Sequence, residues 1–189
     1  MKLTVFLMLF MLILSACAQP AADTPLAGSG EATPAVMTLT SPNFAPGEAI
    51  PAAYTCQGAD ISPALQWSSP PAGTQSLALI VDDPDAPAGT WVHWVVYNLP
   101  PDVTELPEGA SQANASGFNL PPGAMQGVTS FKRRDYGGPC PPSGRHRYFF
   151  RLYALDTVIA QDGLDKTQLL QAMQGHVLAV GELMGTYQK

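Results

Sequence analysis

The chain has 189 residues, a formal net charge of −6 and 13% charged side chains. This length is typical of one domain with a hydrophobic core of its own. Nucleic acid binding needs a positively charged surface, so an acidic chain of this kind is a poor candidate for a nucleic-acid-binding protein.

The N-terminal residues have the features of an export signal: one Lys, an apolar run and then small residues, in the order MKLTVFLMLFMLILSACAQP. The apolar run is shorter than the roughly 20 residues of a transmembrane helix. The sequence LSAC resembles a bacterial lipobox, in which Cys17 is lipidated and becomes the mature N-terminus. We therefore expect a lipoprotein signal peptide over residues 1–16 and a lipid-anchored protein on the extracytoplasmic side of a bacterial membrane, either periplasmic or at the cell surface. Ordinary secretion after cleavage near Ala18 is the alternative.

The segment after Cys17 is small, polar and proline-bearing, AQPAADTPLAGSGEATPA, and has no apolar periodicity. Such a composition is typical of a flexible tether. We expect the lipidated cysteine and linker to occupy residues 17–35 and a single domain to occupy residues 36–189.

Short runs of β-forming residues then recur between turn signals: VMTLTSP, SLALIVDDPDAP, WVHWVVYNLP and HRYFFRLYALD. The runs Ser76 to Val81 and Trp94 to Tyr97 are almost wholly apolar, which predicts strands that are covered on both faces. This pattern predicts a mainly β domain.

One helix is predicted near the C-terminus, in LDKTQLLQAMQG, with Asp165 as its N-cap and Gly175 at its end. The following HVLAVGELMGTY is predicted to be a final strand, since Gly181 and Gly185 would weaken a longer helix. The sequence therefore predicts a β domain with a single short helix close to its end.

Two cysteines remain if Cys17 carries lipid. An oxidising compartment would permit a disulfide between Cys56 and Cys140. The sequence does not establish that the two residues come within bridging distance, so this pairing is left open. Two thiols are too few for a structural zinc site without histidine ligands.

Carboxylates and a histidine cluster around the DDPDAP and WVHW segments. The prolines restrict the backbone around Asp83 and Asp85, just after a buried strand. His93 begins the next strand. Alone, each segment has a structural explanation, as an ordinary Asp-Pro turn or a core histidine. A hairpin, however, would bring Asp83, Asp85 and His93 to one end of the strand pair.

A second cluster lies in RRDYGGPCPPSGRHRYFF, where His146 stands at the entry of a strand. Glycine permits close backbone approach to a ligand, and proline fixes the shape of the loop. Six of the nine Lys and Arg residues fall in or beside this segment: Lys132, Arg133, Arg134, Arg145, Arg147 and Arg151. Together with the first cluster, this segment predicts a pocket with two imidazoles, carboxylates and aromatic walls.

The segments DDPDAPAGTWVHWVVYNLP and YGGPCPPSGRHRYFFRLYALD resemble the two signatures of the phosphatidylethanolamine-binding protein family, in its bacterial branch of Raf kinase inhibitor-like proteins. IPAAYTCQGADISPALQWSSPPAGTQSLALIV and GHVLAVGELMGTYQ follow the same branch pattern, so the resemblance covers about Leu39 to Gln188. It departs in GVTSFKRRDY, where bacterial members usually have an Asn and a Gly and this chain has Thr129 and Lys132.

This resemblance implies a fold with a central sheet and a smaller second sheet, and a pocket for phosphate or a phospholipid head group. The residues that it assigns to the pocket are Asp83, Asp85, Trp91, His93, Pro142, His146 and Tyr148. It also implies a possible regulatory or inhibitory role, and no cofactor.

Three other functions stay open. A protein-interaction module would act as a kinase or protease inhibitor, although nothing in the sequence identifies its partner. A hydrolase would need a nucleophile such as Ser143, but no nucleophile-elbow pattern surrounds this residue. A metal site would combine two histidines with a carboxylate, but the sequence has no closely spaced histidine pair that would position such ligands in advance. Binding is therefore favoured over catalysis and over metal coordination.

Overall fold

The computed structural model describes residues 33–114 and 117–189, and only the backbone at residues 113, 114, 117 and 118. The predicted signal peptide over residues 1–16, the lipidated Cys17 and most of the predicted linker lie outside the described residues. The account below concerns the unit Thr33–Lys189. Within its described part, no helix is long and apolar enough to cross a membrane.

Strands make up most of the regular structure. They are β1 (Ala35–Val36), β2 (Leu39–Thr40), β3 (Leu65–Trp67), β4 (Ser76–Asp83), β5 (Trp91–Leu99), β6 (Glu105–Leu106), β7 (Ala113–Asn114), β8 (Gly117–Phe118), β9 (Met125–Gln126), β10 (Arg145–Leu155) and β11 (Val177–Gln188). One α-helix, α1 (Lys166–Ala172), precedes the last strand, and a 3₁₀ turn spans Ala52–Tyr54.

The main sheet has the strand order β1-β11-β10-β4-β5-β9. Its neighbours are antiparallel, apart from β1, which runs parallel to β11. A smaller sheet has the order β2-β3-β6, and β7 pairs with β8. The predicted mainly β fold, with a central sheet, a smaller second sheet and a short helix near the C-terminus, is confirmed.

Strand β4 lies in the middle of the main sheet and is buried along its whole length. Since successive side chains point to opposite faces, Leu79 joins one hydrophobic core and Ile80 joins the other. The second core is closed by α1, through Leu169. Burial of side chains of this size stabilises the fold by about 1.5–3 kcal/mol each, so the apolar runs in the sequence correspond to a sheet covered on both faces.

Helix α1 begins with the predicted N-cap. The Asp165 carboxylate accepts a hydrogen bond from the Gln168 backbone N–H, and the Gln168 side chain accepts one from the Asp165 N–H. This capping box satisfies two N–H groups that would otherwise lack partners. After the helix, Gly175 has a φ of 80°, which allows the chain to turn into β11. The predicted helix and the predicted final strand are both confirmed.

A disulfide joins Cys56 to Cys140, across a sequence separation of 84 residues. Backbone contacts surround it: the Cys56 N–H donates to the Pro139 carbonyl over 3.2 Å. The Gly138 N–H donates to the Asp60 carboxylate over 2.6 Å. The disulfide and these bonds attach the loop before β10 to the segment after the 3₁₀ turn.

Replacing both bridged cysteines by serine should lower the free energy of unfolding by about 2–4 kcal/mol, because the crosslink restricts the unfolded chain over a long loop. Urea denaturation of the wild type and of the variant Cys56→Ser with Cys140→Ser measures this. Reductant should weaken the wild type to the same extent and leave the double variant unchanged. Equal urea midpoints for the two proteins would show that the bridge contributes nothing.

Candidate ligand-binding site

The pairing of β4 with β5 places the carboxylates and the first histidine at one end of the main sheet. Asp83 is the last residue of β4 and lies opposite Trp91, the first residue of β5. His93 follows two residues later on β5. Strand β10 runs beside β4 on its other edge and brings His146 to the same end.

Asp83 and His146 form a buried pair. The His146 Nδ1 lies 2.7 Å from the Asp83 Oδ2, with side-chain exposures of 9% and 5%. The second carboxylate oxygen of Asp83 accepts the Asp85 backbone N–H over 2.8 Å. Both oxygens of Asp83 are thus engaged, and the imidazole of His146 is fixed in orientation by a carboxylate.

His93 is buried, and its Nδ1 lies 2.5 Å from the Gly137 carbonyl oxygen. Its ring is packed edge-on against Phe131 and Tyr148, at centroid distances of 5.5 Å and 5.2 Å. Burial lowers the pKa of His93, although the Gly137 carbonyl and the charge of Asp83 oppose this. The ring is therefore held in its neutral form.

The two histidines and Asp83 line a cavity of about 280 Å³. Trp91, Phe131 and Pro142 contribute to the remaining walls, together with Ala86, Pro87, Ala88, Cys140 and Pro141. Polar groups are thus confined to a small part of an otherwise apolar cavity, an arrangement that orients a small ligand.

Of the residues expected in the pocket, Asp83, Trp91, His93, Pro142 and His146 line this cavity. The other two, Asp85 and Tyr148, lie outside its lining.

Tyr148 is buried behind His93, and its hydroxyl lacks a hydrogen-bond partner among the described residues. Burial, and then the charge of Asp83, raise the pKa of Tyr148. Its hydroxyl therefore stays protonated.

Asp85 faces Arg147, which donates to both carboxylate oxygens, over 2.9 Å and 2.7 Å. The Arg147 backbone N–H also donates to Asp85, over 3.0 Å. Hydrogen bonding from Arg147 lowers the pKa of Asp85 to about 2. Asp85 therefore connects the turn after β4 to the start of β10 and, through its backbone N–H, supports Asp83.

Phe131 contributes to the site but is not predicted from the sequence. It lies in a turn closed by the Lys132 N–H, which donates to the Thr129 carbonyl over 3.0 Å. The turn gives Lys132 a φ of 62°, the left-handed region that glycine adopts with least strain. Phe131 then packs edge-on against Trp91 at 5.4 Å, and both rings are 36% exposed. The residue types of this segment gave no signal for the turn, because Lys132 does not favour such a conformation.

The Gly137 carbonyl is a second unpredicted contributor, because a backbone acceptor leaves no residue-type signal.

Among the described residues, no group of three His, Cys, Asp or Glu side chains is arranged to hold a metal ion.

Replacing Arg147 by methionine should raise the pKa of Asp85 from about 2 towards its ordinary value of 3.8, because Arg147 supplies the hydrogen bonds that favour the carboxylate. A carboxyl NMR titration measures this. In the wild type, this ion pair stabilises the fold fully at pH values above 3.8, the ordinary pKa of Asp85. The stabilisation is lost as the pH falls towards the folded-state pKa of about 2. The variant Arg145→Met is the matched control and should leave the Asp85 titration unchanged. An equal shift in both variants would contradict the assignment to Arg147.

Comparison with known proteins places this geometry in a family. The family model described as phosphatidylethanolamine-binding protein matches residues 40–188. A protein named UPF0098 from Methanothermobacter thermautotrophicus is 49% identical over 154 residues, which cover 81% of this chain and 99% of the relative. The UPF0098 protein of Chlamydia muridarum is 48% identical over 159 residues, with the same two coverages.

Two solved structures are similar over most of this chain. The phosphatidylethanolamine-binding protein homologue CT736 of Chlamydia trachomatis has a TM-score of 0.73 and 47% identity, and the match covers 82% of this chain and 98% of that one. Escherichia coli YbcL, described as a member of the mammalian family, has a TM-score of 0.75 and 34% identity, with coverages of 82% and 99%. The chain belongs to the phosphatidylethanolamine-binding protein family.

Proposed function

We propose that this protein binds a small oxyanion, such as phosphate or a phosphorylated head group, in the cavity between β4, β5 and β10. The observation that carries the proposal is the buried contact between Asp83 and His146 in the cavity wall. A carboxylate only accepts hydrogen bonds, so the Nδ1 of His146 donates to it. When the ring is protonated, its Nε2 carries the second N–H and can donate to an anion in the cavity.

The charge of Asp83 supports this role. A buried imidazolium is costly unless an opposite charge lies beside it, and Asp83 lies 2.7 Å from the ring. The pair is then neutral overall, and the incoming anion adds the one uncompensated charge. Phosphate oxygens bound by charge-assisted hydrogen bonds fit this arrangement.

The basic residues around the loop contribute less than their number suggests. Four of the six form ion pairs: Arg133 with Asp60 and Asp135, Arg134 with Asp162, Arg147 with Asp85, and Arg151 with Asp82 and Glu182. Within the part of the chain that the structure describes, Lys132 and Arg145 form none. Electrostatic attraction of an anion towards the cavity would depend mainly on these two side chains.

A protein-interaction role is the second candidate, and the half-exposed Trp91 and Phe131 favour it. These rings lie together in the cavity wall, and aromatic side chains are common anchors in protein interfaces. Such a module would act as a kinase or protease inhibitor. It would depend on the exposed rings more than on the buried Asp83 and His146 pair.

Catalysis has weaker support. Ser143 is exposed, is not part of the cavity lining, and forms no hydrogen bond to a histidine within the described residues. A nucleophilic mechanism would require that contact.

His146→Ala should weaken phosphate binding at least about tenfold, because it removes a charge-assisted hydrogen bond of about 1.5–3 kcal/mol. Asp83→Asn should weaken binding about as much by removing the charge that stabilises the imidazolium. Isothermal titration near pH 6 measures both, with thermal denaturation to verify folding. Arg145→Ala is the control, and it should reduce the affinity much less than either variant because Arg145 only attracts the anion from a distance. Full phosphate affinity in both His146→Ala and Asp83→Asn would rule out the proposed site. If Trp91→Ala alone abolished binding to a protein partner, the interaction module would be favoured instead.

We also propose that Cys17 anchors the protein by lipid outside the cytoplasm, on the basis of the LSAC sequence that precedes Ala18. Cys17→Ser should release the protein from the membrane fraction and abolish incorporation of labelled fatty acid, because the thiol is the lipid attachment site. Cys56→Ser with Cys140→Ser should keep both properties and is the control for general loss of cysteine. Membrane retention and labelling in Cys17→Ser would contradict the anchor.

A further inference from the structure

The hydrogen bonds of the two cavity histidines fix their tautomers. The Nδ1 of His93 contacts the Gly137 carbonyl, and the Nδ1 of His146 contacts the Asp83 carboxylate. Carbonyl and carboxylate oxygens accept hydrogen bonds and do not donate them, so each Nδ1 carries a hydrogen. In its neutral form each ring then presents its Nε2 as an acceptor. Neither Nε2 has a hydrogen-bond partner among the described residues, and both rings line the cavity.

The two rings differ in the group that contacts Nδ1. His146 has a carboxylate against its Nδ1, whereas His93 has an uncharged carbonyl. His93 is also buried, and its ring packs edge-on against Phe131 and Tyr148. The cavity therefore contains one imidazole suited to donate through Nε2 and one suited to accept.

We infer that the cavity selects an oxyanion that keeps one acid proton, such as the monoanion of a phosphomonoester or phosphonate, over anions that only accept hydrogen bonds, such as sulfates and sulfonates. This inference rests on the proposed function of the same cavity. A negative oxygen of the ligand accepts from His146 Nε2, and its acidic O–H donates to His93 Nε2. A sulfonate has no such hydrogen and would set an oxygen lone pair against that of His93.

Burial outweighs the charged groups that face His93 and favours its neutral form. Burial lowers the pKa of His93, and the Gly137 carbonyl, Asp83, Asp82 and Asp60 act against it without reversing the direction. The hydroxyl of Tyr148 on β10 remains protonated because burial raises its pKa.

The groups around His146 come from four segments. Asp83 on β4 contacts the ring directly, and His93 on β5 shares the cavity. Asp85, in the turn after β4, forms an ion pair with Arg147. Tyr187 on β11 lies opposite His146 and contacts Gln57 through its hydroxyl. Asp83 is therefore the carboxylate that contacts the His146 ring directly.

A matched pair of ligands tests this selection. Methylphosphonate and methanesulfonate have similar shapes, but near pH 6 only the phosphonate keeps an acid proton, as phosphate monoesters with a second pKa of about 6 do in part. Titration of the full-length protein near pH 6 should show methylphosphonate binding at least about tenfold more tightly. A site whose polar groups would be left unpaired discriminates by this much or more. Once the pH is high enough to remove this proton from the phosphonate, the preference should disappear.

The variant His93→Phe assigns the selection to the proposed acceptor, because it removes both ring nitrogens and keeps an aromatic ring of similar size. Its ratio of phosphonate to sulfonate affinity should fall towards one. The ratio is measured within one protein, so a general loss of affinity does not imitate the effect. ¹⁵N NMR of wild-type His93, which requires no variant, should show a neutral ring with its hydrogen on Nδ1 near pH 6.

The outcomes separate this inference from the function on which it rests. Equal binding of the two ligands would overturn the selection and leave the anion site in place. A preference that persists in His93→Phe would overturn the role of His93, as would a cationic His93 ring in the NMR spectrum. Failure of both ligands and of phosphate to bind at millimolar concentration would refute the proposed function itself.

Discussion

The buried contact between Asp83 and His146 is the interaction on which the site depends. The contact requires β4 and β10 to lie side by side, and the core packed on the sheet holds them there. It also requires the turn after β4 to direct the Asp85 N–H to the second carboxylate oxygen, and the ion pair between Asp85 and Arg147 fixes that turn. Finally, His146 must begin β10 in the right position, and the disulfide at Cys140 restrains the loop that leads to it.

The two histidines are alike in sequence but not in chemistry. Each donates through Nδ1 to an oxygen, yet one oxygen belongs to a carboxylate and the other to a backbone carbonyl. A charged partner stabilises an imidazolium, and a neutral one in an apolar surrounding does not. A small difference in the acceptor therefore gives the cavity a donor and an acceptor from the same residue type.

Much of the fold could be predicted, because apolar runs and a capping box depend on neighbours in sequence. The burial of β4 and the N-cap at Asp165 are of this kind. The motif residues at the ends of β4, β5 and β10 were also predicted. Phe131 was not, because its place depends on a turn in which Lys132 adopts a conformation that its residue type does not favour. The ion pairs of Arg134, Arg147 and Arg151 were equally hidden, since their partners are distant in sequence.

The neighbouring carboxylates Asp82 and Asp83 show how one strand separates structure from function. Alternation along β4 sends them to opposite faces of the sheet. Asp82 forms ion pairs with two basic side chains, Arg151 at 3.0 Å and Lys166 at 2.5 Å. Asp83 instead contacts the imidazole of His146. The first carboxylate therefore connects β4 to α1 and to the side chain of Arg151 on β10, while the second faces the cavity of the proposed anion site.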